Sequence, residues 1–340
     1  MDNSREADSR DYLLENTHFI TLNDSWKATV GALVWWRNAK GDEPAFLPND
    51  NTTDIYTVNG SANSTPFNFL PYHEELFLST YGQLDYKATD ALKFTAGAQV
   101  NKAPDQPVSA VPRFSTVYQV DPNWNLKLLY GEAYRSPSLS ERYRVSTSAT
   151  GSVGLKPETT QTLEAQVAYR NNNLQSKFAV YKAYQNNLIS RSNPVAPDPR
   201  SYYYNISVSE AHGVEIEGKY RMASYDFLLG QTLLWTSIEN TYDPFKQPTF
   251  LTKGGISRRL TETTLLGLFD EFVGATGVTS AYNWLTFNTH VNLGHSVFLD
   301  LYLINLLNQT VDFSEYIRQK IPSIPGAPGR SGYVSLSYSF

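Results

Sequence analysis

Apolar and polar residues alternate with a period of two along nearly the whole chain. Leu163, Ala165, Val167 and Tyr169 alternate with Thr162, Glu164, Gln166 and Ala168. Leu92, Phe94, Ala96, Ala98 and Val100 alternate with Lys93, Thr95 and Gln99, and Val214, Ile216 and Tyr220 with Glu215, Glu217 and Lys219. The same rhythm runs through Trp26, Ala28, Val30, Ala32, Val34 and Trp36, and through Leu285, Phe287, Val291 and Leu293. A helix repeats every 3.6 residues and a strand every two, so these segments can each bury one face only as strands. The spacing predicts about fifteen of them.

The links between strands carry further information. Turn-forming residues stand at Asn23-Asp24-Ser25, Ala88-Thr89-Asp90, Asp121-Pro122-Asn123, Asn171-Asn172-Asn173, Arg221 to Ser224, Leu260-Thr261 and Gly294-His295. Between them lie longer segments at 38–73, 103–110, 135–160, 192–201, 238–248, 273–280 and 307–329. Short and long links alternate strictly, which places all the short turns at one end of the strands and all the long loops at the other. That polarity belongs to an all-β, antiparallel transmembrane β-barrel, with short periplasmic turns and long outside loops. Trp26, Trp36, Tyr86, Tyr169, Tyr220, Tyr338 and Phe340 stand near strand ends, as interfacial aromatic girdles do. Glu164, Glu215, Glu217 and Lys219 on the opposite faces suit a wet interior. A soluble β-rich binding protein is the alternative architecture.

Composition narrows the function classes. The 340 residues carry a net charge of -5, without the basic patch that nucleic acid would need as a partner. Cysteine is absent, which excludes disulfides and thiolate metal sites. No apolar run approaches the roughly 18 residues of a membrane helix, and Met1 to Asp8 is too polar for a signal-peptide core. No catalytic constellation emerges, so the chain is expected to be neither an enzyme nor a carrier of a cofactor or metal. His18, His73, His212, His290 and His295 are scattered without ligand spacing. Asp270-Glu271 reads as a solvated strand end. Gly151 to Gly154 lacks the lysine-serine and helix of a phosphate loop.

Four segments carry a resemblance. They are Tyr130-Gly131-Glu132-Ala133-Tyr134-Arg135-Ser136-Pro137-Ser138-Leu139, Gly154-Leu155-Lys156-Pro157-Glu158-Thr159, His212-Gly213-Val214-Glu215-Ile216-Glu217, and Asn305-Leu306-Leu307-Asn308 with Pro325-Gly326 to Gly329-Arg330. In that order they resemble the C-terminal barrel of TonB-dependent outer-membrane receptors, from about Glu74 to Phe340. Most of these residues report backbone geometry: Pro157 marks the loop before a strand, and Gly213 is expected to open one at a bulge.

The resemblance implies that 1–340 is one barrel domain. It corresponds to about 15 strands of a roughly 22-stranded receptor barrel. The plug domain, the TonB box and about seven first strands have no counterpart here, as expected of a truncated or split gene product. Counting back from Phe340 puts the strand at about residues 12–22 eighth. An odd number of strands leaves the first and last running the same way, with edges open to aggregation. The resemblance also implies a receptor in the bacterial outer membrane, in contact with its lipid. A scarce metal complex would be taken up there, a ferric siderophore first, with TonB acting through the missing plug. Cobalamin, haem or oligosaccharide are alternative ligands, and a passive pore or structural barrel is an alternative role.

Two loops suit an anionic, partly aromatic chelate. One carries Tyr134, Arg135, Arg142, Tyr143 and Arg144, and the other Arg200, Tyr202 and Tyr203. Rings offer stacking area, and guanidinium offers forked donors and cation-π contact. Arg135 also stands where the family motif braces the wall, and Tyr202–Tyr204 also read as a strand extension. In the final strand, Val334, Leu336, Tyr338 and Phe340 are expected to face lipid and to signal to the barrel-insertion machinery.

Overall fold

The computed structural model describes residues 7–41, 57–58, 61–62, 68–146, 149–192, 200–238, 247–314 and 323–339. Among them are fifteen strands of eight residues or more. In chain order they are β1 (Ala7–Thr21), β2 (Trp26–Gly41), β3 (His73–Lys87), β4 (Leu92–Lys102), β5 (Ser109–Gln119), β6 (Trp124–Arg135), β7 (Glu158–Arg170) and β8 (Leu174–Arg191). The series continues with β9 (Ser201–Met222), β10 (Tyr225–Ile238), β11 (Phe250–Arg259), β12 (Thr264–Val273), β13 (Thr286–Gly294), β14 (Val297–Ile304) and β15 (Ser331–Tyr338). The remaining strands are two or three residues long, and the helix α1 (Leu139–Tyr143) is a single turn. No helix among the described residues is long and apolar enough to cross a membrane.

Two compact units share these strands. The first comprises Met1–Ser115, Tyr130–Gln161 and Tyr184–Ser209, and the second Thr116–Leu129, Thr162–Ala183 and Glu210–Phe340. In the first, β1, β2, β3 and β4 pair antiparallel in chain order. In the second, β10 to β15 do the same.

The predicted alternation of short and long links holds throughout, because most short turns use one local device. A side-chain oxygen near the start of the turn accepts backbone N–H groups two or three residues on. Asn23 accepts from Ser25 and Trp26, Thr89 from Ala91 and Leu92, Asp121 from Asn123 and Trp124, and Asn171 from Asn173 and Leu174. Thr261 accepts from Thr263. The β13–β14 turn instead places His295 and Ser296 at φ of 51° and 60°, the left-handed pair that a tight hairpin needs.

The faces are inverted relative to a soluble sandwich. On β3, Leu76, Leu78 and Leu84 are 48%, 44% and 39% exposed. The residues between them point the other way, into a hydrogen-bonded polar network. Ser79 donates to Asn101, Gln83 and Thr95 donate to Asp85, and Tyr81 donates to Glu15. Water would oppose such an apolar exterior; lipid favours it. Rings bound this band. Trp26 stacks on Tyr86 at 4.1 Å between centroids, and Tyr12 meets Trp36 at 5.3 Å. In the second unit Trp124 meets Tyr169 at 4.8 Å. Trp26 and Trp36 lie about 33 Å apart along β2 at roughly 3.3 Å per residue. A strand tilt of roughly 40° brings that to about 25 Å, the height of a barrel's apolar band.

Seven apolar residues are buried among those described, too few for a conventional core. Five of them, Ala103, Leu139, Ala149, Leu155 and Ile206, lie at the long-loop end of the first unit. The best-packed apolar cluster is therefore in the loops.

One expectation changes. Gly213 lies inside β9 rather than opening a strand. A Cβ there would stand 2.5 Å from the Tyr181 hydroxyl, so glycine serves a close ring approach. Val334, Leu336 and Tyr338 are exposed on β15, and Phe340 lies outside the described residues.

Candidate functional site

The loop 136–157 is built from its first residues upward. Ser138 caps α1: its hydroxyl accepts the Glu141 N–H at 3.2 Å, while its own N–H donates to the Glu141 carboxylate at 2.7 Å. This reciprocal box starts a helix too short to persist alone. The chain then folds back. The Gly151 N–H donates to the Arg144 carbonyl at 2.6 Å and the Ser152 N–H to the Glu141 carbonyl at 2.9 Å. A Cβ at position 151 would lie 2.5 Å from the Arg142 carbonyl carbon, so only glycine lets the strap lie flat on α1. Farther on, Asn205 clamps the strap at both backbone groups of one residue. It accepts the Lys156 N–H at 2.8 Å and donates to the Lys156 carbonyl at 3.0 Å and the Asn187 carbonyl at 2.6 Å.

Charged groups fix the strap from two sides. Arg135 bonds Glu141 at 2.9 Å and Glu158 more closely, joining the end of β6 to α1 and to the start of β7. The second set is buried. Arg142 donates to Glu75 and to Asp105, each at 2.9 Å. Glu75 also accepts from Arg37, at 2.8 and 2.5 Å. Side chains of Arg142 and Glu75 are 2% and 3% exposed, whereas Asp105 is 74% exposed. The order Arg37, Glu75, Arg142, Asp105 alternates in sign and sums to zero, which lets two guanidinium groups sit away from water. Rings complete the packing: Arg37 lies 4.9 Å from the Trp35 ring and 4.7 Å from Phe77, and Arg142 lies 4.7 Å from Tyr143. Tyr143 in turn stacks on His73 at 3.5 Å.

This environment shifts two loop groups. Burial pushes the Glu141 carboxyl upward, but the Arg135 guanidinium and the Ser138 amide outweigh it and hold the pKa below the ordinary glutamate value. Burial raises the Tyr143 phenol; Arg142 opposes that, while Asp105 and Glu75 add to it.

The candidate residues are brought together in part. Ala149–Thr150 pairs with Ser201–Tyr202, which ties the Arg142 loop to the one carrying Arg200. Arg200 reaches the Tyr202 hydroxyl at 3.3 Å and lies 5.7 Å from its ring. Tyr202 and Tyr203 belong to β9, and alternation sends their side chains to opposite faces, so the strand-extension reading fits them. Arg142 does not offer a bare guanidinium to the outside, because Glu75 and Asp105 already hold it. Arg135 is half exposed and braced, in keeping with its motif position. Tyr134 keeps its hydroxyl buried, as Arg144 does its Nε.

Sequence reasoning missed Glu75, Arg37 and Asp105. Glu75 is a carboxylate at an inward strand position opposite Arg37, a pairing visible only once the β2–β3 register is known. Asp105 holds φ of 54°, a conformation that aspartate tolerates better than most residues.

The second unit holds a separate cavity of about 660 Å³, lined among others by Lys177, Glu217, Lys219, Lys253, Glu271 and Trp284. Its ion pairs are open to solvent: Lys177–Glu217 at 3.2 Å and Lys253–Glu271 at 3.5 Å. No group of three or more metal-ligating side chains occurs among the described residues. The motif Asn305–Asn308 is structural. Both asparagines adopt positive φ, Asn305 is fully buried and bonded to Gln309 and Pro328, and Asn308 accepts the Arg330 N–H.

Known proteins share this architecture. A crystal structure of the siderophore receptor PirA from Pseudomonas aeruginosa superposes with a TM-score of 0.72 at 13% identity, covering 98% of this chain and 56% of that one. A mutant of the ferric enterobactin receptor PfeA from Pseudomonas aeruginosa, in complex with enterobactin, gives 0.76 at 16% identity, covering 98% and 55%. The copper transporter OprC gives 0.72 at 16% identity, covering 99% and 57%. The chain thus spans little more than half the length of these proteins. No curated protein sequence matches it. The family model described as TonB dependent receptor-like, beta-barrel matches residues 2–330. The chain therefore belongs to the TonB-dependent receptor-like β-barrel family, a family of receptors and transporters rather than enzymes.

Proposed function

We propose that this chain supplies the wall and outer loops of a bacterial outer-membrane receptor for a scarce metal complex, a ferric siderophore first. Energy would reach the intact protein through TonB. The observation that carries the reading is the loop cluster: a packed scaffold at the long-loop end of the first unit that gathers arginine and tyrosine side chains. Such a rigid, cationic and aromatic rim suits an anionic chelate with planar rings. Two of the similar structures are siderophore receptors and one is a copper transporter, which supports metal cargo as a class. Residues proposed for contact are Tyr134, Arg135, Arg144, Arg200 and Tyr202, with Arg142 and Tyr143 behind the Asp105 carboxylate and Tyr203 on the other face of its strand. Val334, Leu336, Tyr338 and Phe340 are proposed as the signal to the insertion machinery; deleting Phe340 should lower the assembled fraction in membranes and leave ligand affinity alone.

Titration of the membrane-assembled chain tests the cargo. Ferric tris-catecholate is expected to quench tryptophan fluorescence saturably, and the iron-free ligand, haemin and cyanocobalamin are expected to bind more weakly. Tightest binding by cyanocobalamin or haemin would replace the siderophore reading, and ohmic conductance of the chain in planar lipid without chelate binding would favour a passive pore.

A further inference from the structure

The Arg142 network contains a carboxylate unlike its partners. Glu75 is buried and held by three guanidinium nitrogens of two arginines. Asp105 meets the same buried arginine through Nη2, yet its side chain is 74% exposed. Without Asp105, the remaining Arg37, Glu75 and Arg142 sum to one positive charge, and Nη2 of Arg142 loses this acceptor. The neighbouring Tyr143 ring lies against that guanidinium and is itself stacked on His73. A buried cation with an open donor beside stacked rings is what a planar aromatic anion binds. Asp105 sits on the link 103–108 at the long-loop end, with φ of 54°, and is bonded to the strap by the carboxylate that water reaches most easily. Only the Asp105 end of this pair is open to water, since Arg142 is 2% exposed, so an incoming anion can displace the aspartate carboxylate by taking its place on the buried guanidinium. The inner pair with Glu75 is not exchangeable in the same way, since breaking it strands a buried charge.

We propose that Arg142 and Tyr143 form an anion subsite which Asp105 occupies in the unliganded chain, and that the carboxylate or phenolate of an aromatic ligand takes the place of the Asp105 carboxylate. Asp105 is then an internal competitor that sets a threshold for capture. The inference deepens the receptor reading by naming how the loop cluster admits an anionic ring, but its test does not need the iron complex.

The probe is benzoate, with benzamide as the neutral control, titrated against the full chain assembled in detergent micelles. Asp105→Asn and Asp105→Gly both suit the left-handed backbone at this position, so each preserves the turn while removing the carboxylate. If Asp105 occupies the subsite about nine-tenths of the time, its removal lowers the apparent Kd for benzoate about tenfold. Benzamide affinity should not change, and adding Tyr143→Leu, which removes the ring, to Asp105→Gly should reverse part of the gain. Unchanged benzoate affinity in both Asp105 variants, an equal gain for benzamide, or no benzoate binding by any variant would each overturn the proposal. A chain that gains benzoate affinity but ignores every ferric chelate would retain the subsite and lose the siderophore reading.

Discussion

The loop cluster of the first unit and the lysine-lined cavity of the second use the same charged residue types to different ends. Around Arg142 three of the four ions, Arg37, Glu75 and Arg142, are largely buried, and each of the three is held by two partners or a ring. Around Lys253 the pair is 67% and 42% exposed and stands 3.5 Å apart. Water already solvates the second set, so its Coulomb gain is small. In the first set, each charge needs the next, and loss of any buried member leaves another unpaired. Counting ion pairs would rate these regions alike. Burial separates them, and it assigns the organising role to the loop strap.

The largest effect is expected from cutting the buried network. Glu75→Gln should destabilise the strap by about 3–5 kcal/mol, because Arg37 and Arg142 then share one neutral acceptor. Hydrogen exchange of the Arg142 and Arg144 amides should rise while exchange in β11 and β12 does not. Next comes Gly151→Ala. A Cβ 2.5 Å from the Arg142 carbonyl carbon forces the strap off α1, at a cost of about 1–3 kcal/mol. Proteolysis within 136–157 reports it.

Acid should act on the strap more gently. Glu141 has a folded pKa held below the unfolded value, so its contribution is fully present above the unfolded pKa of about 4.3 and is lost as pH falls through the folded one. Exchange at the Ser138 amide should therefore quicken below about pH 4, and Glu141→Gln should abolish that pH dependence. The smallest effect is expected from Lys253→Ala, at about 1 kcal/mol or less. A loss equal to that of Glu75→Gln, read by the same thermal midpoint in detergent, would erase the contrast between the two regions.

Much of this was legible in the sequence, and the limit has a physical cause. The turns could be read because Asn23, Asp121 and Asn171 act on amides two or three residues away. The strands could be read because alternation is local. The clamp could not, since Glu75 meets Arg37 across 38 residues and Arg142 across 67, and only register brings them together. Residue type alone marks Arg142 and Tyr143 as loop residues suited to an anion. That their partner would be Asp105, from a different link, was beyond any local pattern. Tyr202 and Tyr203 show the converse: adjacency in sequence suggested one binding surface, and strand geometry divides them between two faces.

In the proposed receptor, the long-loop end faces the outside of a bacterial outer membrane while the short turns face the periplasm. A chain without cysteine permits a direct test. Val153 in the strap is 68% exposed, and the Asp90 side chain in the β3–β4 turn is 98% exposed, so each can carry a single cysteine open to reagent. In intact cells a membrane-impermeant maleimide should label Val153→Cys and should reach Asp90→Cys only after the outer membrane is breached. Equal labelling of both in intact cells, or recovery of the folded chain in the aqueous fraction, would contradict the account.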